Sequence, residues 1–365
     1  MPRARDIAFI RKLCGLNVPA QALVHSLLPA LRVLMPSHSA GVFWADSRGE
    51  MESLFAERLL PPDAMAAYYE RHYDKVREGF AESFRRRAEA ADPVSFHSFT
   101  TAEQDSAYFR DVMRPLDAYH VMYGILKRNG ISPFAQVSFY RGRADPPFDR
   151  SNAEVLRELL RYVASALSRS PALARTDDST VTVEEHLGVV TAEGAIVSAP
   201  ESWHRLVRLA ALSEMSPRDA VRQSAGMAHF LRHVCGESTR PGSDSVRWDL
   251  HRESPWGTFS IRAFRLPDTK GRRADQIGVL IRREEARSVS LVRGAGVSDL
   301  SPQQREVALL LAQGKSNREI AEEMGLSFNT ASFHVKQVYA KLKVNQRNAV
   351  ESKLLNLAQV AVASN

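Results

Sequence analysis

Four residues with the means to do chemistry share one face: Asn329, Ser332, Phe333 and Lys336, within the segment SFNTASFHVKQVYAKLK. At a helical period they line one side, while Ala331, Val335, Val338 and Leu342 recur at i, i+4, i+7 and i+11 on the other. The apolar side must pack on neighbouring helices. The outward strip carries an amide, a hydroxyl, an aromatic ring and an ammonium group. No carboxylate occurs between Ser327 and Lys343. Such a strip can hydrogen-bond base edges in a DNA major groove without repelling phosphate. A merely solvated face is the alternative, but it gives no reason to expose Phe333 or to exclude acids.

The surrounding residues supply the elements that would position this strip. Ser301-Pro302 is an N-cap followed by proline at the first helical position, and the helix it starts runs to about Gln313 and ends at Gly314. Val307, Leu310 and Leu311 form its apolar stripe. Ser316 caps a second helix, with Glu319 three residues on completing a capping box, and Ile320, Ala321 and Met324 facing inward. Gly325-Leu326 leaves only a tight turn before a third helix starts at Ser327 or Phe328. Two short helices across a glycine turn are the helix-turn-helix pattern. A fourth helix, Gln346–Leu357, carries Val350, Leu354 and Leu357 on one side. That side can pair with a second copy or pack within the domain.

The stretch LSPQQREVALLLAQGKSNREIAEEMGLSFNTASFHVKQVYAKL resembles the C-terminal domain of LuxR-type transcription factors of the FixJ and NarL kind. The resemblance implies that Ser332, Phe333 and Lys336 read bases. It places Ser327, Asn329 and Thr330 at a helix N-terminus facing phosphates and makes Lys341 a further backbone contact. It also implies a homodimer through the fourth helix, set on an inverted repeat about one helical turn apart. Two departures stand out: the usual Thr-Val is Thr330-Ala331, and the usual basic residue after it is Ser332. Base recognition then leans on Lys336.

The 365-residue length predicts two or three domains, and 44% hydrophobic with 25% charged residues is the composition of a soluble globular chain. The formal charge of +7 permits a nucleic-acid partner without naming one. Lys336, Lys341 and Lys343 make the positive field local to the third helix, with Glu306, Glu319, Glu322 and Glu323 on the preceding ones. No long apolar run or signal peptide is present, so no membrane partner and a cytoplasmic location are expected. The cysteines, Cys14 and Cys235, give no disulfide framework. His229 and His233, one helical turn apart and followed by Cys235, could share a metal. No fourth ligand is spaced nearby, and packed or solvated histidines are the preferred reading.

Upstream, Val18–Leu34 has helical periodicity, Ala40–Ala45 reads as a strand before the Asp46–Gly49 turn, and Tyr68–Arg87 as a polar helix with Tyr68, Tyr69 and Tyr73 on an ordinary aromatic face. Strands follow at His120–Lys127 and Phe134–Arg141 around an Asn129-Gly130 turn, then an amphipathic helix at Asp149–Ser168. The sequence FRDVMRPLDAYHVMYGILKRNG with FAQVSFYRGRADPPFDRSNAEVLRELLRYVASAL resembles GAF-like sensor regions, which implies a fold that holds a small molecule between sheet and loops. A linker is expected at Arg169–Asp178. A hairpin at Gly188–Val197, helices at Ser202–Leu212 and Pro217–Val234, and strands near Val246–His251, Gly257–Leu266 and Gln276–Ile281 loosely resemble a PAS domain. Ser288–Ser298, with two glycines, reads as a second, flexible linker.

The expected architecture is therefore an α+β sensor region, GAF-like over 1–170 and PAS-like over 179–288, followed by an all-α four-helix domain over 298–365. The expected function is a sequence-specific, double-stranded-DNA-binding regulator controlled by a small molecule or partner, with RNA polymerase a further candidate partner. The residues name no cofactor. A sigma-factor-like subunit shares EIAEEMGLS but should carry an aromatic, basic promoter-melting helix, which is not found. No GxSxG, P-loop, HExxH or GxGxxG motif occurs, so no enzyme is expected. The early acidic pair of a phosphoreceiver is missing as well.

Overall fold

A computed structural model describes residues 2–16, 18–49, 51–58, 64, 71–72, 83–168, 179–211, 230–235, 248–254, 257–267 and 273–363. Two compact units divide the chain: Pro19–Ala174 with Ala211–Phe230, and Met1–Val18 with Arg175–Ala210 and Leu231–Asn365. Among the described residues no helix is long and apolar enough to cross a membrane.

The Pro19–Ala174 unit is built on an antiparallel sheet of β1 (Ser39–Ala45), β2 (Met51–Ala56), β3 (Val94–Ser98), β4 (His120–Arg128) and β5 (Ser132–Arg141), in the order β2-β1-β5-β4-β3. Helices α2 (Ala20–Leu34) and α3 (Arg150–Leu167) contact β1 and β4, respectively, and each other. Gly124 makes the seat for α3: a Cβ there would lie 2.9 Å from Leu160 and 3.0 Å from Leu156. Asp149 caps α3 by accepting from the Asn152 amide at 2.9 Å. Arg141 holds the strand-to-helix loop, donating to the carbonyls of Pro36, Pro146 and Pro147 and stacking 4.0 Å over Phe148.

On the opposite sheet face two apolar clusters form, around Phe43, Phe84 and Ile125 and around Phe109, Met113 and Val121. Cross-strand register puts Tyr123 beside Ser138, Ile125 beside Gln136 and Val121 beside Tyr140. This places a polar and aromatic band on the same face. Arg87 joins it, donating from Nε to Gln136 Oε1 at 2.9 Å with its guanidinium 4.6 Å over the Tyr123 ring.

The second unit opens with α1 (Pro2–Gly15) and contains another antiparallel sheet: β6 (Thr180–Thr191), β7 (Ile196–Ser198), β8 (Trp248–Ser254), β9 (Gly257–Pro267) and β10 (Arg273–Ala286). Its order, β7-β6-β10-β9-β8, repeats that of the first sheet when strands are counted within each sheet. Helix α4 (Glu201–Ala211) lays Trp203 on the bare backbone of Gly188 and donates its indole N–H to the Val279 carbonyl at 2.8 Å. The expected linker at 169–178 and the expected helical stretch at 217–229 lie outside the described residues, as do Tyr68, Tyr69, Tyr73 and His229.

The second expected linker is not one. Residues Arg287–Val297 form helix α5, with Val289, Leu291, Val292 and Ala295 buried. Its glycines serve contact instead of flexibility. A Cβ on Gly294 would overlap the carbonyl of Leu354, lying 2.7 Å from its carbon, and one on Gly296 would meet the Phe9 ring of α1.

Buried charges fasten α5 to the sheet. Glu285 at the end of β10 accepts from Arg293 and Ser290 of α5, both at 2.5 Å. Arg283 donates to Glu184 of β6 at 2.9–3.0 Å, and Arg205 of α4 bonds to the same carboxylate. Burial pushes the Glu184 carboxyl up, but Arg283 and Arg205 outweigh it and hold it below its ordinary value. A depressed carboxylate contributes stability above its unfolded value that is lost as pH falls through the folded one. Glu184→Gln should therefore cost about 1–3 kcal/mol at neutral pH, because Arg283 is left with a neutral amide and its longer, 3.7 Å pairing to Glu285. The gap to the parent should close as pH falls below 4.5. Urea melts across pH check this; a constant gap would refute it.

Candidate nucleic-acid interface

Four helices follow α5: α6 (Pro302–Ala312), α7 (Asn317–Met324), α8 (Phe328–Leu342) and α9 (Asn348–Ala363). Local signals set their boundaries. Ser301 accepts from the Gln304 amide at 3.3 Å while Gln304 Oε1 accepts from the Ser301 amide at 2.9 Å, a reciprocal box in front of Pro302. Ser316 and Glu319 do the same for α7 at 3.3 and 2.7 Å. Gly325 takes a left-handed φ of 63°, which ends α7 and frees the chain to turn. Ser327 caps α8, accepting from the Thr330 amide at 3.2 Å and pairing with the Thr330 hydroxyl at 2.8 Å.

Helix α8 has the two faces expected of it. Ala331, Val335, Val338 and Leu342 are buried. Asn329, Thr330, Phe333 and Lys336 are exposed and Ser332 is half-buried. Phe333 is 58% exposed and Phe328, at the helix start, 52%. Burying a phenyl ring is ordinarily favourable, so Phe333, held in the open in the middle of the Asn329, Ser332 and Lys336 strip, suits a surface that meets a partner. Lys336 makes no hydrogen bond or ion pair among the described residues, so its ammonium is available to a partner. No acid stands in the first turn of α8, whose free N–H groups suit an anion.

Lys341 is exposed and has partners inside the domain. Its ammonium donates to Gln304 Oε1 at 2.9 Å and to the Asp299 carbonyl at 3.2 Å, tying α8 to the start of α6. Val350 and Leu354 are fully buried within the chain, together with Ala358, and Leu357 is half-buried. The bare backbone of Gly294 on α5 lies against Leu354. Arg287 donates to Glu351 at 2.7 Å and to the Ala312 carbonyl at 3.2 Å. Arg305 donates to the Gly296 carbonyl at 2.7 Å, and Gln359 to the Thr182 carbonyl at 3.0 Å. Helix α9 is thus packed against α5 at Leu354, with α6 and α8 also in contact with it.

Two residues that periodicity does not single out join the site. Arg347 donates to Asn317 Oδ1 at 2.9 Å, and Asn317 Nδ2 donates to Ser332 Oγ at 3.3 Å. The three lie on α8, at the start of α7 and just before α9, so no local spacing links them. Cys14 and Cys235 are buried, and burial, with Glu193 nearby, pushes the Cys235 thiol up to about 11, far from a reactive thiolate. No metal-ligand cluster occurs among the described residues.

Residues 298–352 match the family model of bacterial regulatory proteins, luxR family. The C-terminal segment is therefore a LuxR-family helix-turn-helix domain. Over 62 residues the chain is 34% identical to YhjB of Escherichia coli (strain K12), an HTH-type transcriptional regulator by name. That match takes in 17% of this chain and 30% of YhjB, so the chain spans less than a third of that relative. Among solved structures, the Vibrio cholerae VqmA dimer without target DNA, described with LuxR-type receptors, is 18% identical. It covers 49% of this chain and 83% of its own, at a TM-score of 0.18. The sensor region of a sensor histidine kinase is 11% identical, covering 73% and 93% at 0.19.

Proposed function

We propose that the protein is a sequence-specific DNA-binding transcriptional regulator whose N-terminal region controls its helix-turn-helix domain. The observation that carries this is the outer face of α8: an exposed, acid-free strip of Asn329, Ser332, Phe333 and Lys336 inside the luxR-matched segment. Ser327, Asn329 and Thr330 meet phosphate at the helix start, and Ser332, Phe333 and Lys336 reach base edges. The test is selection from a random duplex pool with the full-length protein. Enrichment of an inverted repeat with half-sites about one helical turn apart is expected. No enrichment of any sequence would end this reading.

The organisation we propose is a GAF-like region at 1–170, of which α1 packs within the second unit, a PAS-like region at 179–288 and the DNA-binding domain at 298–365, with control passing through α5. Dimerisation through Val350, Leu354 and Leu357 requires α5 to leave α9 at least at Leu354, against which Gly294 lies. The clasped form is then the weak binder and the released form the strong one.

For the input, we propose a small anionic molecule at the polar band of the first sheet. There Arg87 faces Tyr123, Tyr140, Gln136 and Ser138, with no carboxylate partner among the described residues. Burial lowers the affinity of the Arg87 guanidinium for its proton, so an incoming anion would relieve a poorly solvated cation. Native mass spectrometry of purified protein should find a bound acid that Arg87→Ala loses; retention by the variant would refute the site.

A further inference from the structure

We propose that Arg347 and Asn317 orient the Ser332 hydroxyl as a hydrogen-bond donor toward DNA, so that it selects an acceptor atom on a base edge. The inference rests on the DNA-binding reading above and adds a chemical rule to it.

The argument is a donor and acceptor count. A guanidinium can only donate, so the Asn317 atom 2.9 Å from Arg347 must be the carbonyl oxygen. The Asn317 amide is thereby fixed, and its NH₂, which can only donate, faces Ser332 Oγ at 3.3 Å. Ser332 must accept in that bond. Ser332 makes no other hydrogen bond among the described residues, so its proton is left for a partner on the exposed face that also carries Phe333 and Lys336. Arg347 and Asn317 are positioning residues that act through Ser332.

In the major groove guanine offers N7 and O6, adenine N7 and thymine O4 as acceptors, whereas cytosine offers only its N4 amine. A serine held as a donor disfavours cytosine at the base it meets. The effect should be a roughly five- to tenfold depletion, the share of one neutral hydrogen bond. This fits the departure seen in the sequence, where a hydroxyl replaces the usual basic residue after Thr330-Ala331. Anchoring narrows what a short hydroxyl would otherwise read ambiguously.

Asn317→Asp separates this device from simple packing. The two side chains have the same shape, and a carboxylate keeps the bond from Arg347 as an ion pair. Its other oxygen can only accept, so Ser332 would turn its proton inward and present lone pairs to the groove. Selection with the full-length parent, Asn317→Asp and Ser332→Ala is the experiment. At one base per half-site the parent should deplete cytosine, Asn317→Asp should instead favour cytosine or adenine through their amines, and Ser332→Ala should lose discrimination. The added negative charge should weaken all sequences alike, which leaves the preference readable. If Asn317→Asp fails to fold, Arg347→Leu carries the test: the unanchored amide can turn over, and discrimination should fall to the level of Ser332→Ala.

Parent-like preferences in folded Asn317→Asp, or no change in Ser332→Ala, would overturn the inference while leaving DNA binding intact. A parent that selects no sequence would overturn the functional reading itself.

Discussion

Replacing Lys336 with alanine should abolish selection of the preferred operator and weaken binding to it by roughly ten- to a hundredfold, from the loss of about 1–3 kcal/mol per base contact. The lysine is exposed on α8 and engages no other side chain among the described residues, so its removal leaves the fold untouched. The full effect should therefore appear in binding. An ammonium in the groove also displaces condensed cations, and the slope of log K against log salt should flatten by about one per lysine lost. Lys341→Ala provides the contrast. That ammonium braces α8 against Gln304 and Asp299, so its loss should lower the melting temperature and weaken all sequences alike. Equal binding of the selected operator by the parent and Lys336→Ala would show that the recognition face has been misplaced.

The second large effect concerns the α5–α9 clasp. Gly294→Ala puts a methyl group onto the Leu354 carbonyl, which is backbone and cannot turn aside. Overpacking of this kind costs about 1–3 kcal/mol or more, and the helices must part to relieve it. At Gly296 the atoms nearest a new methyl belong to the Phe9 ring, a side chain that can rotate, and Gly296→Ala should be milder. If the clasp restrains DNA binding, Gly294→Ala should raise operator affinity about tenfold, and amides of α9 should exchange faster with deuterium. Faster exchange with unchanged or lower affinity would mean that the contact holds the fold together without regulating it.

What could be read from local sequence was considerable. Ser301-Pro302, Ser316 with Glu319, and Gly325 announced the starts and stop of α6 and α7, because caps act over three or four residues. The two faces of α8 followed from the period of Ala331, Val335, Val338 and Leu342. The strands around Asn129-Gly130 and the amphipathic α3 were legible for the same reason.

Only tertiary structure decided the rest. The same sheet order occurs twice although the two regions share no obvious motif, since strand order depends on pairings distant along the chain. Gly294 and Gly296 look like flexibility in a sequence, and only the approach of Leu354 and Phe9 shows that their missing side chains let helices touch. The apolar positions Val350 and Leu354 are both buried in the folded chain, where Gly294 of α5 lies against Leu354, which periodicity alone could not show. Sequence alone determined that Ser332 and Lys336 lie on the outer face of one helix, because helical periodicity is local. Which way the Ser332 hydroxyl points was decided by Asn317 and Arg347, brought to it from two other parts of the chain by the packing of α7, α8 and α9.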